Sequence, residues 1–152
     1  MEVERRLKEL QLKLPAARPS TGKYVRTVRV GNVLYISGTG SVGEQNTFKG
    51  KLGRELTTQE GCQAAHLCAL KILATLKREL GDLDKVVRIV KLVGIVNCTE
   101  KFEDHSIVLD GASELFVQVF GERGNHARSV MGAVGLPSNI AVEVEAIVEI
   151  EE

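Results

Sequence analysis

The sequence predicts an α+β layer, a mixed sheet with two helices on one face. Three observations carry this prediction. The dipeptide Gly31-Asn32 separates two β-rich runs, which is the turn chemistry of a two-residue hairpin. Two long segments repeat apolar residues every three or four positions, and each stops at a glycine, Gly81 or Gly121. Three more β-rich runs lie between and after these helices, and the last alternates between apolar and mostly acidic residues.

The elements follow in order. Val3, Leu7, Leu10 and Leu12 fall at loosely helical spacing before Pro15, so residues 1–14 read as a short N-terminal helical extension packed on the domain. Tyr24 to Val30 and Val33 to Ser37 form the hairpin, and the glycine-containing, polar stretch from Gly38 to Gly53 reads as an irregular loop. Thr57 and Glu60 stand in capping-box spacing ahead of a helix that runs to about Leu80. Its apolar face carries Leu67, Leu70, Ile72, Leu73 and Leu76, while Lys71, Lys77, Arg78 and Glu79 mark its wet side.

Val86 to Asn97 is interrupted only by Arg88 and Lys91, which predicts a strand covered on both faces. Ser106 to Phe120 forms the second long helix, with Leu109, Ala112, Leu115, Phe116 and Val119 on its apolar side. Two strands close the chain, about His126 to Val134 and Ile140 to Ile150, joined by a turn at Gly135-Leu136-Pro137-Ser138-Asn139. In the last strand Val142, Val144, Ala146, Val148 and Ile150 point to the helices, and Glu143, Glu145, Ile147 and Glu149 point away. A single copy therefore leaves a partly apolar sheet face open, and sheet-against-sheet oligomerisation is the simplest way to cover it.

Composition narrows the function classes. A chain of 152 residues with 43% hydrophobic and 26% charged side chains fits one domain spanning 1–152. Twenty basic residues balance 20 acidic ones and there is no Trp, so neither a basic stripe for nucleic-acid backbone nor a stacking platform for bases is expected. No run approaches the length of a membrane span and the N-terminus lacks a secretory pattern, which predicts a cytoplasmic protein with no membrane partner. Cys62, Cys68, Cys98, His66, His105 and His126 show no metal-ligand spacing. Cys62 and Cys68 read as core residues and His66 as a partly exposed structural one. No metal or organic cofactor is expected.

The C-terminal segment is the most specific part of the sequence. His126-Ala127-Arg128-Ser129, then Leu136-Pro137, then Val142-Glu143-Val144-Glu145-Ala146 resembles the signature of the RidA/YjgF family, also called the endoribonuclease L-PSP family. Gly22-Lys23-Tyr24 and Val30-Gly31-Asn32-Val33-Leu34-Tyr35-Ile36-Ser37-Gly38 resemble that family's N-terminal elements, so the likeness spans about Pro19 to Glu149. It implies a chorismate-mutase-like fold, a homotrimer whose three sheets form a barrel, and ligand clefts between subunits. By the same resemblance Arg128 binds a substrate carboxylate and Glu143 positions or activates water. Tyr24, Ser37, Gly38 and Val130 fall at positions that line the cleft.

Two departures mark a divergent branch. Val130 stands where many members have cysteine, and the stretch from Phe120 to His126 is short and lacks a proline before Ala127-Arg128.

The chemistry of these residue types is consistent with the implied role. An arginine at a strand start can hold a carboxylate through two parallel hydrogen bonds, and a carboxylate beside it can activate water toward an imine carbon. The implied reaction is hydrolysis of reactive 2-imino or 2-enamino acids to 2-keto acids and ammonia. Two alternatives stand beside it: a non-catalytic sensor that binds a small carboxylate in the same cleft, and an endoribonuclease, the weaker of the two. The residue pattern alone also allows Arg128 simply to pair with Glu143 or Glu145 across the sheet.

Overall fold

The computed structural model describes residues 1–152. Its sheet has five strands: β1 (Thr27–Val30), β2 (Val33–Gly40), β3 (Val86–Asn97), β4 (Ala127–Ala133) and β5 (Val142–Ile150). They lie in the order β1-β2-β5-β3-β4, with β3 and β4 parallel and every other neighbouring pair antiparallel. Three helices accompany it: α1 (Glu2–Glu9), α2 (Thr58–Leu80) and α3 (His105–Phe120).

The local devices expected from sequence are in place. Gly31 turns the β1–β2 hairpin at φ 59°. Thr57 and Glu60 close a reciprocal capping box at the start of α2, with Glu60 N–H donating to Thr57 Oγ1 at 3.2 Å and Thr57 N–H to Glu60 Oε1 at 3.1 Å. Gly81 and Gly121 end α2 and α3 at φ 77° and 64°. Helix α1 is shorter than its apolar spacing suggests. It closes in a Schellman motif in which Gln11 takes φ 55°, Leu12 N–H donates to Leu7 O at 2.9 Å and Gln11 N–H to Lys8 O at 3.0 Å. Val3 and Leu7 still reach the core.

The core lies between the sheet and α2 and α3, which occupy one face. Val142, Val144, Ala146, Val148 and Ile150 of β5 are all buried there, with Leu34, Ile36, Ile89, Leu92 and Val96 from β2 and β3. Gly111 sets the spacing of the two helices, because a Cβ on it would lie 2.1 Å from the carbonyl oxygen of Cys62. Cys68 is buried as expected, whereas Cys62 stays partly exposed at this seam and donates its thiol to Ile107 O.

Two strand boundaries change. Tyr24, Val25 and Arg26 lie outside β1. Instead β2 continues past Ser37 to Gly40, because a bulge between Ile36 and Thr39 absorbs one extra residue and keeps the ladder to β5 intact. The sheet face left open in a single copy is as expected: helices cover β3 on one side only. Val93 and Ile95 are half-exposed by the regular alternation of the strand, and Val87 and Val90 are exposed because two irregularities in its ladder turn residues 87–88 and 90–91 away from the helices. With Val28, Tyr35 and Met131 they leave an open apolar sheet face.

Candidate active site

Glu143 stands near the start of β5 on the open face of the sheet, between the helix-facing Val142 and Val144. The β2 bulge brings Gly38 against it: a Cβ on Gly38 would lie 2.6 Å from Glu143 Oε1. Only a residue without a side chain lets this carboxyl lie over the β2 backbone. The Glu143 carboxyl makes no ion pair. Its pKa is raised, first by burial and then by the neighbouring Glu145 charge, with Arg26 opposing.

The same corner gathers the N-terminal residues singled out from sequence. Ser37 Oγ donates to Val25 O at 2.8 Å and Ser37 N–H to Arg26 O at 3.0 Å, which fixes the segment entering β1. Tyr24 is half-exposed, with the Arg26 guanidinium 6.0 Å from its ring centroid. Arg26 Nη1 in turn donates to Gly38 O at 3.3 Å. Glu143 thus adjoins Gly38, and Arg26 links Gly38 to Tyr24 and, through its backbone, to Ser37.

Arg128 lies elsewhere. It starts edge strand β4 opposite the buried Leu92 and points to the helix side, with its side chain 19% exposed. Residues of α3 surround its guanidinium. Nη1 donates to Asp110 Oδ1 at 2.9 Å and Ser113 Oγ at 3.0 Å, and Nη2 to Ser106 Oγ at 2.7 Å and Ser106 O at 3.3 Å. Ser113 Oγ lies 2.8 Å from His126 Nε2, and His126 Nδ1 lies 2.6 Å from Gly124 O. With Nδ1–H donating to the carbonyl, Nε2 is left to accept from Ser113, whose oxygen accepts from Arg128. Val130 is on the same side as Arg128, beside Gly94, and packs on the core.

The residues singled out from sequence thus fall into two groups on opposite faces of the sheet. Arg128 pairs with Asp110, and the cross-sheet pairing with Glu143 or Glu145 that the residue pattern left open is absent. Asp110, Ser106 and Ser113 escaped the sequence reading, although their i, i+4, i+7 spacing puts a polar stripe on an otherwise apolar helix. Arg26 gave no signal beyond being one of two arginines in a β-rich run. No three His, Cys, Asp or Glu side chains gather where one metal ion could take them. No helix is long and apolar enough to cross a membrane.

Comparison with known proteins places the chain. Protein TCP17 of Trypanosoma cruzi is 44% identical over 148 residues, covering 95% of this chain and 91% of the relative. The crystal structure of the protein Atu1372 from Agrobacterium tumefaciens superposes with a TM-score of 0.91 at 41% identity, covering 99% of this chain and 93% of that one. A 2-iminobutanoate/2-iminopropanoate deaminase of Dermatophagoides farinae is 27% identical over 137 residues, covering 90% of this chain and 93% of the relative. The model of the family described as "YjgF/chorismate mutase-like, putative endoribonuclease" matches residues 4–150. With the α+β layer and the C-terminal signature in agreement with that match, the chain belongs to the RidA/YjgF family.

Proposed function

We propose that the protein hydrolyses small 2-imino and 2-enamino acids to 2-keto acids and ammonia, in clefts completed between copies of itself. The observation that carries this reading is Glu143. Its carboxyl is half-buried, lacks an ion-pair partner, has a raised pKa and is held over Gly38 on a sheet face that a second copy would cover. These are properties of a proton-transfer group rather than of a solvated surface charge. The likeness to the Dermatophagoides farinae deaminase supports the reaction class.

In this reading three copies close their open sheet faces into a barrel, and Arg128 of one copy meets the Glu143 corner of the next. Arg128 takes the substrate carboxylate and orients the C=N group. Glu143 accepts a proton from water as the water oxygen bonds to the imine carbon, and the π pair moves to nitrogen. Glu143 returns that proton to the nitrogen, giving the neutral carbinolamine, which then collapses: the hydroxyl proton passes to the nitrogen through Glu143, the C–N bond breaks with its electron pair on nitrogen, the carbonyl forms and ammonia leaves. An imine is already electrophilic, so orientation and one proton-transfer group each contributing ~10²-fold or more are enough.

The test is a coupled assay in which 2-aminoacrylate or a branched-chain counterpart is generated in situ and keto-acid formation is followed. Wild type accelerates it, and Arg128→Ala and Glu143→Gln each lower the rate by about 10²-fold or more while leaving the oligomer intact. No acceleration across several side chains overturns the proposal.

The departures at Val130 and between Phe120 and His126 favour a second reading, a module that binds a small carboxylate without turnover. In either reading the ligand displaces a partner that Arg128 holds in its own chain, since every Nη hydrogen is taken and only Nε–H is free. Saturable carboxylate binding in a protein that produces no ammonia would select this reading.

A further inference from the structure

A second cavity lies away from the Arg128 group. It has a volume of about 360 Å³ and sits beneath the strap formed by residues 15–21, between that strap, β2 and α2. Pro15, Ala16, Pro19 and Val42 supply apolar wall, and Arg26 and Lys71 line it as well. The Arg18–Glu44 ion pair, at 3.0 Å and largely exposed, belongs to the same lining.

Lys71 is the unexpected member. It falls among the charges that mark the wet side of α2, yet it is half-buried. Its ammonium donates to Gly40 O at 2.7 Å and to nothing else, and it forms no ion pair. Arg26 makes one hydrogen bond, to Gly38 O, and has no carboxylate partner either. The hydroxyls of Thr39 and Thr75, which also line the cavity, donate to the backbone oxygens of Ser37 and Lys71.

The cavity therefore presents two cations, Lys71 and Arg26, with spare donors and no ion-pair partner, while its one carboxylate, Glu44, is taken up by Arg18. Burial first, then repulsion from Arg26 and Arg18, holds the Lys71 ammonium below the ordinary lysine range. Two like charges kept beside one cavity without an ion-pair partner are costly, and an anion seated between them lowers that cost. The aliphatic wall decides the kind of anion. A carboxylate with a short apolar body satisfies both sides of the cavity, whereas inorganic phosphate uses only the charged one.

We infer that the strap, β2 and α2 form a binding site for a small aliphatic carboxylate, held by Lys71 and Arg26 and separate from the cleft assigned to Arg128. The inference does not depend on the deaminase reading, since Lys71 plays no part in it. If the strap site is occupied, it anchors the segment that leads to Tyr24, so ligand there and ligand in the cleft are coupled through Arg26.

The test uses the full chain, with butyrate and inorganic phosphate as probes and backbone amide NMR shifts as readout, in wild type, Arg128→Ala and Lys71→Met. Arg128→Ala keeps a saturable butyrate response at Thr39, Val42 and Thr75, and Lys71→Met weakens that response about tenfold or more, the scale of one lost charge-assisted hydrogen bond. Phosphate binds more weakly than butyrate. The response in Arg128→Ala is informative even if Lys71→Met fails to fold. The inference is overturned if Arg128→Ala abolishes these shifts, if folded Lys71→Met responds as wild type does, if phosphate competes as well as butyrate, or if no saturable response occurs.

Discussion

Arg128 and Glu143 stand on β4 and β5, the two strands that flank β3, yet their surroundings are opposite in kind. The arginine is satisfied by its own chain, with Asp110, Ser106 and Ser113 around its guanidinium and His126 behind Ser113. The carboxylate has no such partner: its neighbours are a glycine, a second carboxylate and an arginine beyond ion-pair reach. One group is satisfied within a single copy, and the other has no ion-pair partner there. A charged group that is already paired must trade a partner for its ligand, whereas an unpaired one gains on assembly.

The largest effect that would sharpen this contrast comes from the unpaired group. Gly38→Ala places a methyl group where Glu143 Oε1 now lies, so the carboxyl must swing away. Turnover falls by up to ~10²-fold with little change in KM, since Arg128 is untouched. Steady-state kinetics checks this, and a rise in KM at constant kcat would show that Glu143 serves binding instead.

A smaller effect probes the satisfied group. Asp110 competes with any ligand carboxylate for Arg128, and it is half-exposed, so their pairing contributes at most ~1 kcal/mol. Asp110→Ala therefore lowers the KM for an imino acid, or the Kd for a carboxylate, by about fivefold or less. A weakened affinity would mean that Asp110 aims the arginine and does not compete for it.

The smallest effect is on stability. Because burial and Glu145 raise the Glu143 pKa above the ordinary 4.5, the folded state holds this proton more tightly than the unfolded chain does. The group is without cost below the unfolded value; the cost grows as pH rises from there toward the raised folded value and is complete above it. Glu143→Gln consequently raises Tm at neutral pH, and the difference closes as the pH falls below about 4.5. Thermal melts across pH check the sign, and a Tm lowered at neutral pH would place an unseen partner on the carboxylate.

Much of the fold was legible because its signals are local. Gly31-Asn32 carries its turn, Thr57 and Glu60 carry their cap, and Gly81 and Gly121 carry their stops, each within a few residues of sequence. The alternation in β5 correctly divided Val142 to Ile150 between its two faces. What failed depends on distant parts of the chain. The bulge at Ser37-Gly38 is imposed by the ladder to β5, and so are the two irregularities in β3 that turn Val87 and Val90 outward.

The site divides the same way. The motif around Arg128 named the residue without saying which face of an edge strand it takes, since period-two alternation in β4 has no single apolar side to anchor it. The contact with Asp110 spans 18 positions and belongs to the packing of α3 over β4. Lys71 shows the limit from the other direction. Helical spacing placed it on the wet side of α2, and the strap of residues 15–21 then covered it.

The claim that the two groups meet between copies is tested most directly by complementation. Arg128→Ala and Glu143→Gln chains, each inactive alone, are co-expressed and the mixed oligomers assayed for ammonia release. If each cleft takes its arginine from one copy and its carboxylate from another, about one quarter of the clefts in a random mixture carry both groups, and activity returns to that fraction of wild type. Mixed oligomers as inactive as either variant would contradict the account and return both residues to a site within one chain.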